Sequence, residues 1–235
     1  MGAGLGTGFA GLSAAAVISP MLISFLGIPA YQAVGIALAS DVLASAVSAY
    51  TYGKNKNLDV KNGTVMMAFV LLFTAFGSYI SSLVEAHAMG TMSTVMTMFL
   101  GVRFIVRPVM TTKEGMEAAL TKKQRLIRSI IGGAMIGFIC GFVGAGGGMM
   151  MLLVLTSVLG YELKTAVGTS VFIMTFTAFT GSVSHFAIGK SVGDIAVLVL
   201  CVVFTFVFAR IAAKIANKAS AKTLNRITGV ILVII

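Results

Sequence analysis

The sequence predicts an all-α polytopic membrane protein built from two inverted repeats, each a re-entrant (broken) helical hairpin plus about three transmembrane helices. Three observations predict it. Of the 235 residues, 58% are hydrophobic and only 10% are charged, with a mean hydropathy of +1.02. A soluble domain carries about a quarter charged residues, so lipid must cover part of this apolar surface. The chain repeats itself at an offset of 133 residues, and its positive charge is gathered into a few loops.

A helix needs about 20 apolar residues to cross roughly 30 Å of hydrocarbon. Met1–Gly27 is apolar but too short for two crossings, and reads as a hairpin of two short helices. It lacks a basic n-region, so no cleavable leader is expected. Ala30–Tyr52 makes a crossing with Asp41 in its middle, and a basic loop follows at 54–61. Val65–Val84 and Ala86–Val102 give two more, the second carrying His87 near its start. The basic stretch 103–128 contains TTKEGMEAALTKKQRLIRS, which reads as a short surface helix suited to anionic headgroups.

Ser129–Tyr161 holds 33 residues without a charge, too long for one crossing and too short for two. Glycines crowd its middle, so two half-length helices meeting at a bend would use all of it. Thr165–Gly189 crosses next, with His185 near one end. Ile195–Ala209 then continues towards Ile215 past Arg210, whose long side chain can snorkel. The last run, Leu224–Ile235, is too short to cross alone: either the helix ends early or the chain continues.

Ungapped alignment of Gly8–Gly35 on Gly141–Gly168 gives 10 identities in 28 positions, among them GFAG on GFVG, Gly27 on Gly160 and AVG on AVG. The expected domains are a first repeat at 1–108, a basic linker at 109–128 and a second repeat at 129–235. Charge then selects the orientation. With one re-entrant hairpin per repeat, 16 of the 17 Lys and Arg residues face one side; if all eight segments cross, the split is 11 to 6. Cationic loops favour the cytoplasmic face, which selects the inverted arrangement, with the eight-crossing version as the alternative. Loops 54–61, 103–128 and 210–226 are thereby expected in the cytoplasm, and the protein in the cell (plasma or inner) membrane.

A bend at membrane depth exposes N–H groups that lipid cannot satisfy, so it must be buried in protein or line a wet cavity. Unpaired amides at a helix N-terminus attract an anion without any charged side chain. The candidate substrate-binding residues are Gly144, Ala145, Gly146, Gly147 and Gly148, their repeat mates around Gly11 and Ser13, and the hydroxyls of Ser40, Thr169 and Ser170. Close helix packing competes with this reading for any single glycine, and back-bonding to the helix competes for Thr169 and Ser170. Asp41 is the one acid deep within a crossing, a candidate to carry protons, hold a coupling cation or tie helices together. Its mate, Met174, is apolar. Arg103 and Arg107 read as topology anchors.

No nucleophile–base pair, metal cluster or cofactor motif is visible, so an enzyme is not expected, and neither catalytic residues, a metal nor a cofactor is assigned. Cys140 and Cys201 lie in apolar runs. The positive charge sits in loops, which speaks against nucleic acid as a partner.

The segment GFVGAGGGMMMLLVLTSVLGYELKTAVGTS at Gly141–Ser170, its weaker copy GFAGLSAAAVISPMLISFLGIPAYQAVGIALAS, and the basic loop between them resemble the sulfite exporter TauE/SafE family over nearly the whole chain. The resemblance implies a permease exporting sulfite, related sulfur oxyanions or organosulfonates by alternating access, with Gly144–Gly148 and Thr169–Ser170 along the anion path. The first repeat departs from the pattern, carrying Leu12–Ala16 and GIA where the second has the glycine cluster and GTS. The partners expected are a small inorganic or organosulfonate anion and the lipid bilayer, with proton coupling and a homodimer left open. A non-transporting scaffold or sensor and an anion channel are the alternatives.

Overall fold

The computed structural model describes residues 1–81, 102, 105–106, 108–143, 147–189 and 194–234. The described residues are helical, with no strand among them. Helices α1 (Gly2–Ala10) and α2 (Ala15–Leu26) are separated by a break at Gly11–Ala14, and α3 (Ala30–Lys54) and α4 (Val60–Ser81) follow. After a short α5 (Lys113–Ala119) come α6 (Lys122–Val143) and α7 (Gly147–Ser157). Then come α8 (Leu163–Gly189), α9 (Ile195–Lys218) and α10 (Ala221–Ile234).

By length and composition, three helices among the described residues are long and apolar enough to cross a membrane: Gln32–Lys54, Leu163–Val183 and Ile195–Lys218. Val60–Phe76 is a shorter apolar stretch within α4. The crossing expected at Ala86–Val102 lies outside the described residues except for Val102.

Local chemistry sets the boundaries. Asp194 accepts the N–H groups of Ala196 and Val197 at 2.8 and 3.3 Å and so opens α9. Asp59 does the same for α4, accepting the Asn62 N–H at 3.1 Å, so that helix begins five residues before the Val65 expected from hydropathy alone. Gly27 and Gly160, which align in the repeat, both take left-handed φ values of 63° and 66° and end α2 and α7.

Two expectations need correcting here. The stretch from Thr111 to Ser129 is not one surface helix: it stops at Leu120 and restarts. The restart is a capping box, in which Thr121 Oγ1 accepts the Gln124 N–H at 3.3 Å and Gln124 Oε1 accepts the Thr121 N–H at 3.1 Å. As a result α6 is not a half-length helix from Ser129. It starts at Lys122 and runs 22 residues, about 33 Å, its first turns exposed and basic.

The repeat seen in sequence recurs in the element order. Helix α3 starts at Ala30 and α8 at Leu163, 133 residues later; α2 starts at Ala15 and α7 at Gly147. Packing follows the same pairing, with α3 against α8 at the centre, α1 against α9 on one flank and α6 against α4 on the other. Both flanks use missing side chains for close approach. A Cβ on Gly8 would strike the Ala209 carbonyl, and a Cβ on Gly137 would strike the Val70 carbonyl.

The basic loops meet at one end of the bundle. Lys113 Nζ donates to the Lys56 carbonyl at 2.8 Å, Lys164 Nζ to the Asn217 carbonyl at 2.9 Å, and Asn57 Nδ2 to Asn217 Oδ1 at 2.6 Å. Arg128, in the second turn of α6, donates to the Val158 carbonyl just past α7 at 2.8 Å. The α6–α7 pair therefore leaves from and returns to the same end.

Buried Tyr161 ties this end together by donating its hydroxyl to Asp59 Oδ2 at 2.7 Å. Burial first, and then the Asp59 carboxylate beside it, pushes the phenol well above its ordinary value. A raised folded-state pKa adds stability that is fully present below the unfolded value of about 10 and is lost as pH climbs beyond it. Tyr161→Phe is expected to lower the melting temperature in detergent at neutral pH, at a cost of about 1–3 kcal/mol. It should also flatten the decline above about pH 10. Melting curves for both proteins between neutral and strongly alkaline pH check this.

Candidate functional site

A broken helix inside an apolar bundle must find partners for the amides it frees. At the first break, Gly11 takes the left-handed conformation, φ 62° and ψ 32°, and its N–H returns to the Thr7 carbonyl at 3.0 Å. Leu12 likewise donates to the Gly6 carbonyl at 3.3 Å. Helix α2 then starts in the opposite arm, with the Ile18 N–H donating to the Ala14 carbonyl at 2.9 Å. The Ala14 N–H itself has no helical acceptor behind it.

Asp41 supplies that acceptor from the interior of α3. Its Oδ1 accepts the Ala14 N–H at 2.9 Å and the Ser45 hydroxyl at 3.2 Å; its Oδ2 accepts the Ser13 hydroxyl at 2.6 Å. The residue is 1% exposed. A negative group at a helix N-terminus also opposes the positive end of the helix dipole. Of the roles weighed for Asp41, tying helices together is the one visible in this geometry.

The N-terminus of α7 comes to the same place. Gly144, Ala145 and Gly146 lie outside the described residues, whereas Gly147 opens α7 and Gly148 is buried against the first break. A Cβ on Gly148 would stand 2.6 Å from the Gly11 carbonyl oxygen, 2.7 Å from Met174 Sδ and 3.0 Å from the Ser13 nitrogen. No side chain fits there. A Cβ on Gly11 would strike Ser170 Oγ and reach Val167 at 3.5 Å. Gly11, Ser13, Asp41, Gly148 and Ser170 thus converge on one point between α3 and α8.

Two expected residues do not join them. Thr169 accepts the Asp59 N–H at 3.2 Å, which commits it to the α3–α4 loop. Ser40 donates to the Ile36 carbonyl of its own helix at 2.9 Å. Ser170 also back-bonds, to the Val167 carbonyl at 3.0 Å, yet its oxygen still borders Gly11. His87, Arg103 and Arg107 lie outside the described residues, and His185 falls on α8 with its side chain outside them.

One residue that sequence reasoning passed over, and one noted only as apolar, belong to the site. Ser45 sits one helical turn beyond Asp41, a spacing that periodicity could have flagged. Met174 is the repeat mate of Asp41 and borders Gly148, so a thioether lies in the second repeat where the first has a carboxyl group. Among the described residues no group of three His, Cys, Asp or Glu side chains could hold a metal ion.

Asp41→Ala is expected to strand the Ala14 amide and lower stability by about 1–3 kcal/mol. Asp41→Asn retains an acceptor for that amide and should cost less than half as much. Met174→Leu removes no hydrogen bond and should cost less than about 1.5 kcal/mol. Melting temperatures of the three variants in one detergent rank them.

Comparison with known proteins points to membrane transporters. The chain is similar to "Probable membrane transporter protein YdhB" of Bacillus subtilis (strain 168), 25% identical over 214 residues that cover 91% of this chain and 86% of the relative. It is also similar to "Probable membrane transporter protein YunE" of the same organism, 25% identical over 244 residues covering 99% and 89% of the two chains. A third relative, "Probable membrane transporter protein MJ0441" of Methanocaldococcus jannaschii, is 26% identical over 77% of this chain and 65% of its own. No solved structure matches. The family description "Sulfite exporter TauE/SafE" matches residues 1–235, and the chain therefore belongs to that family of membrane transporters.

Proposed function

We propose that the protein is a secondary transporter exporting a small anion, sulfite or a related sulfur oxyanion or organosulfonate, by alternating access. The observation that carries this reading is the meeting of two broken helices, with Gly148 of one seated on Gly11 and Ser13 of the other. Discontinuous helices at a repeat interface are where secondary transporters bind substrate, the N-termini of half-helices aimed at anionic groups.

The two tips have different roles in this reading. At α2 the positive end is already neutralised by Asp41, which would repel an anion. At α7 the corresponding position is Met174, so the anion binds on the Gly147–Gly148 side. A proton taken up by Asp41 removes that repulsion and frees the Ser13 hydroxyl and the Ala14 amide to turn towards the substrate.

Repeats 1–108 and 129–235, joined by 109–128, rock about the central α3–α8 pair. They are inverted, and the basic end is cytoplasmic in the plasma membrane. The shared end of α6 and α7, marked by the Arg128–Val158 hydrogen bond, supports the hairpin form of the second repeat.

Sulfite flux in proteoliposomes under imposed pH gradients tests the reading, with thiosulfate, sulfate, sulfoacetate and chloride as competitors. Saturable flux that follows the pH gradient is expected. Asp41→Asn should remove the gradient dependence, and Gly148→Ala should cut the maximal rate about tenfold or more, since overpacking by one methyl costs about 1–3 kcal/mol. No flux of any of these anions would end the proposal, and flux that never saturates would make the protein a channel. Topology is read separately: a cysteine replacing Lys190 should be labelled from outside the cell and one replacing Lys218 only from inside. Labelling of both from one face would rule out the inverted arrangement.

A further inference from the structure

Away from the helix breaks, a groove of about 540 Å³ opens between the C-terminal halves of α3 and α9. Lys54, Arg210 and Lys214 line it together with Tyr50 and Asn55, and among the described residues its lining includes no carboxylate. All three cations are exposed. Arg210 and Lys214 are four residues apart on one helix, an arrangement of like charges that is unfavourable without a counter-charge. A negative group supplied from outside the groove would relieve that repulsion.

The pattern of the two walls indicates what brings it. On α3, Leu43, Val47, Tyr50 and Lys54 recur at intervals of four, three and four residues, within about 60° of one another around the helix. On α9, Val203, Val207, Arg210 and Lys214 recur at the same intervals. Both helices end at the basic end of the bundle, where Asn57 and Asn217 are hydrogen-bonded. Each wall therefore passes from exposed apolar residues to cations over about 16 Å, half the thickness of the hydrocarbon core. Leu43, Tyr50, Val203 and Val207 are all exposed. A soluble anion would need the cations but not the apolar stripe above them; a phospholipid of one leaflet uses both.

We propose that this groove is a binding site for an anionic phospholipid, its phosphate held by Lys54, Arg210 and Lys214 and one acyl chain laid along Leu43, Val203 and Val207. The site is separate from the helix breaks and stands whether or not the anion-export reading does.

The test titrates the full chain, purified in a neutral detergent, with dioleoylphosphatidylglycerol, dioleoylphosphatidylcholine or glycerol 3-phosphate while following the melting temperature. The phosphatidylglycerol curve is expected to rise and saturate, with the other two flat. The double variant Arg210→Gln/Lys214→Gln should need about tenfold more phosphatidylglycerol for half saturation, since each cation near a lipid surface contributes substantially. Lys218→Gln/Lys222→Gln, equally basic positions outside the groove, should match the unaltered protein. If the double variant does not fold, Lys54→Gln carries the same comparison with a smaller shift.

Superimposable curves for the groove variants and the unaltered protein would overturn the proposal. So would an equal loss in Lys218→Gln/Lys222→Gln, which would indicate only a diffuse basic surface. An equal response to phosphatidylcholine would remove the role of charge, and one to glycerol 3-phosphate would make this a soluble-anion site instead.

Discussion

The hydrogen bond from the Ala14 amide to Asp41 is the interaction on which the centre of this protein depends. A helix interrupted among apolar side chains leaves amides that neither lipid nor neighbouring methyl groups can satisfy. Asp41 reaches out of an unbroken helix and settles the account for one of them, while Ser13 and Ser45 fill its remaining acceptor positions. The carboxyl group thereby fixes the start of α2 on α3. Just before it, the Gly11 turn, closed by its own N–H to the Thr7 carbonyl, forms the surface on which Gly148 of the second repeat rests.

Close approach is the second requirement. Between membrane helices, association rests on packing and interhelical hydrogen bonds, because lipid is as apolar as the side chains it would replace. Glycines at Gly8 and Gly137 let backbones meet on the two flanks. Polar ties at the basic end then lock the loops across the bundle: Tyr161 to Asp59, Asn57 to Asn217, and Asn225, whose Oδ1 accepts the Val109 N–H at 2.7 Å. The middle can remain built of small residues because the end is held by directional bonds.

The two repeats share element boundaries but not chemistry. Where Asp41 caps one break, Met174 borders the other, and where Ser170 touches Gly11 its mate is Ala37. The element order repeats, yet the chemistry at the centre is one-sided. One helix N-terminus is neutralised internally, and the other has no carboxyl group at the equivalent position.

Composition and the offset of 133 residues were enough to determine a helical membrane protein with a repeated element order, a broken helix near Gly11 and long helices over Ala30–Tyr52 and Thr165–Gly189. These depend on hydropathy and on the conformational freedom of glycine, which are properties of short segments. The early start of α6 was also present in sequence, as the Thr121–Gln124 capping box, but the uncharged run beginning at Ser129 concealed it. Tertiary structure alone decided which hydroxyls face the centre. Thr169 and Ser170 are adjacent in the chain, yet one serves Asp59 and the other borders Gly11, because neighbouring residues on a helix point about 100° apart and the partners come from distant segments. The role of Asp41 was decided in the same way. A buried acid is visible in any sequence, but whether it meets a cation, water or a stranded amide depends on which backbone the fold brings within 3 Å of it.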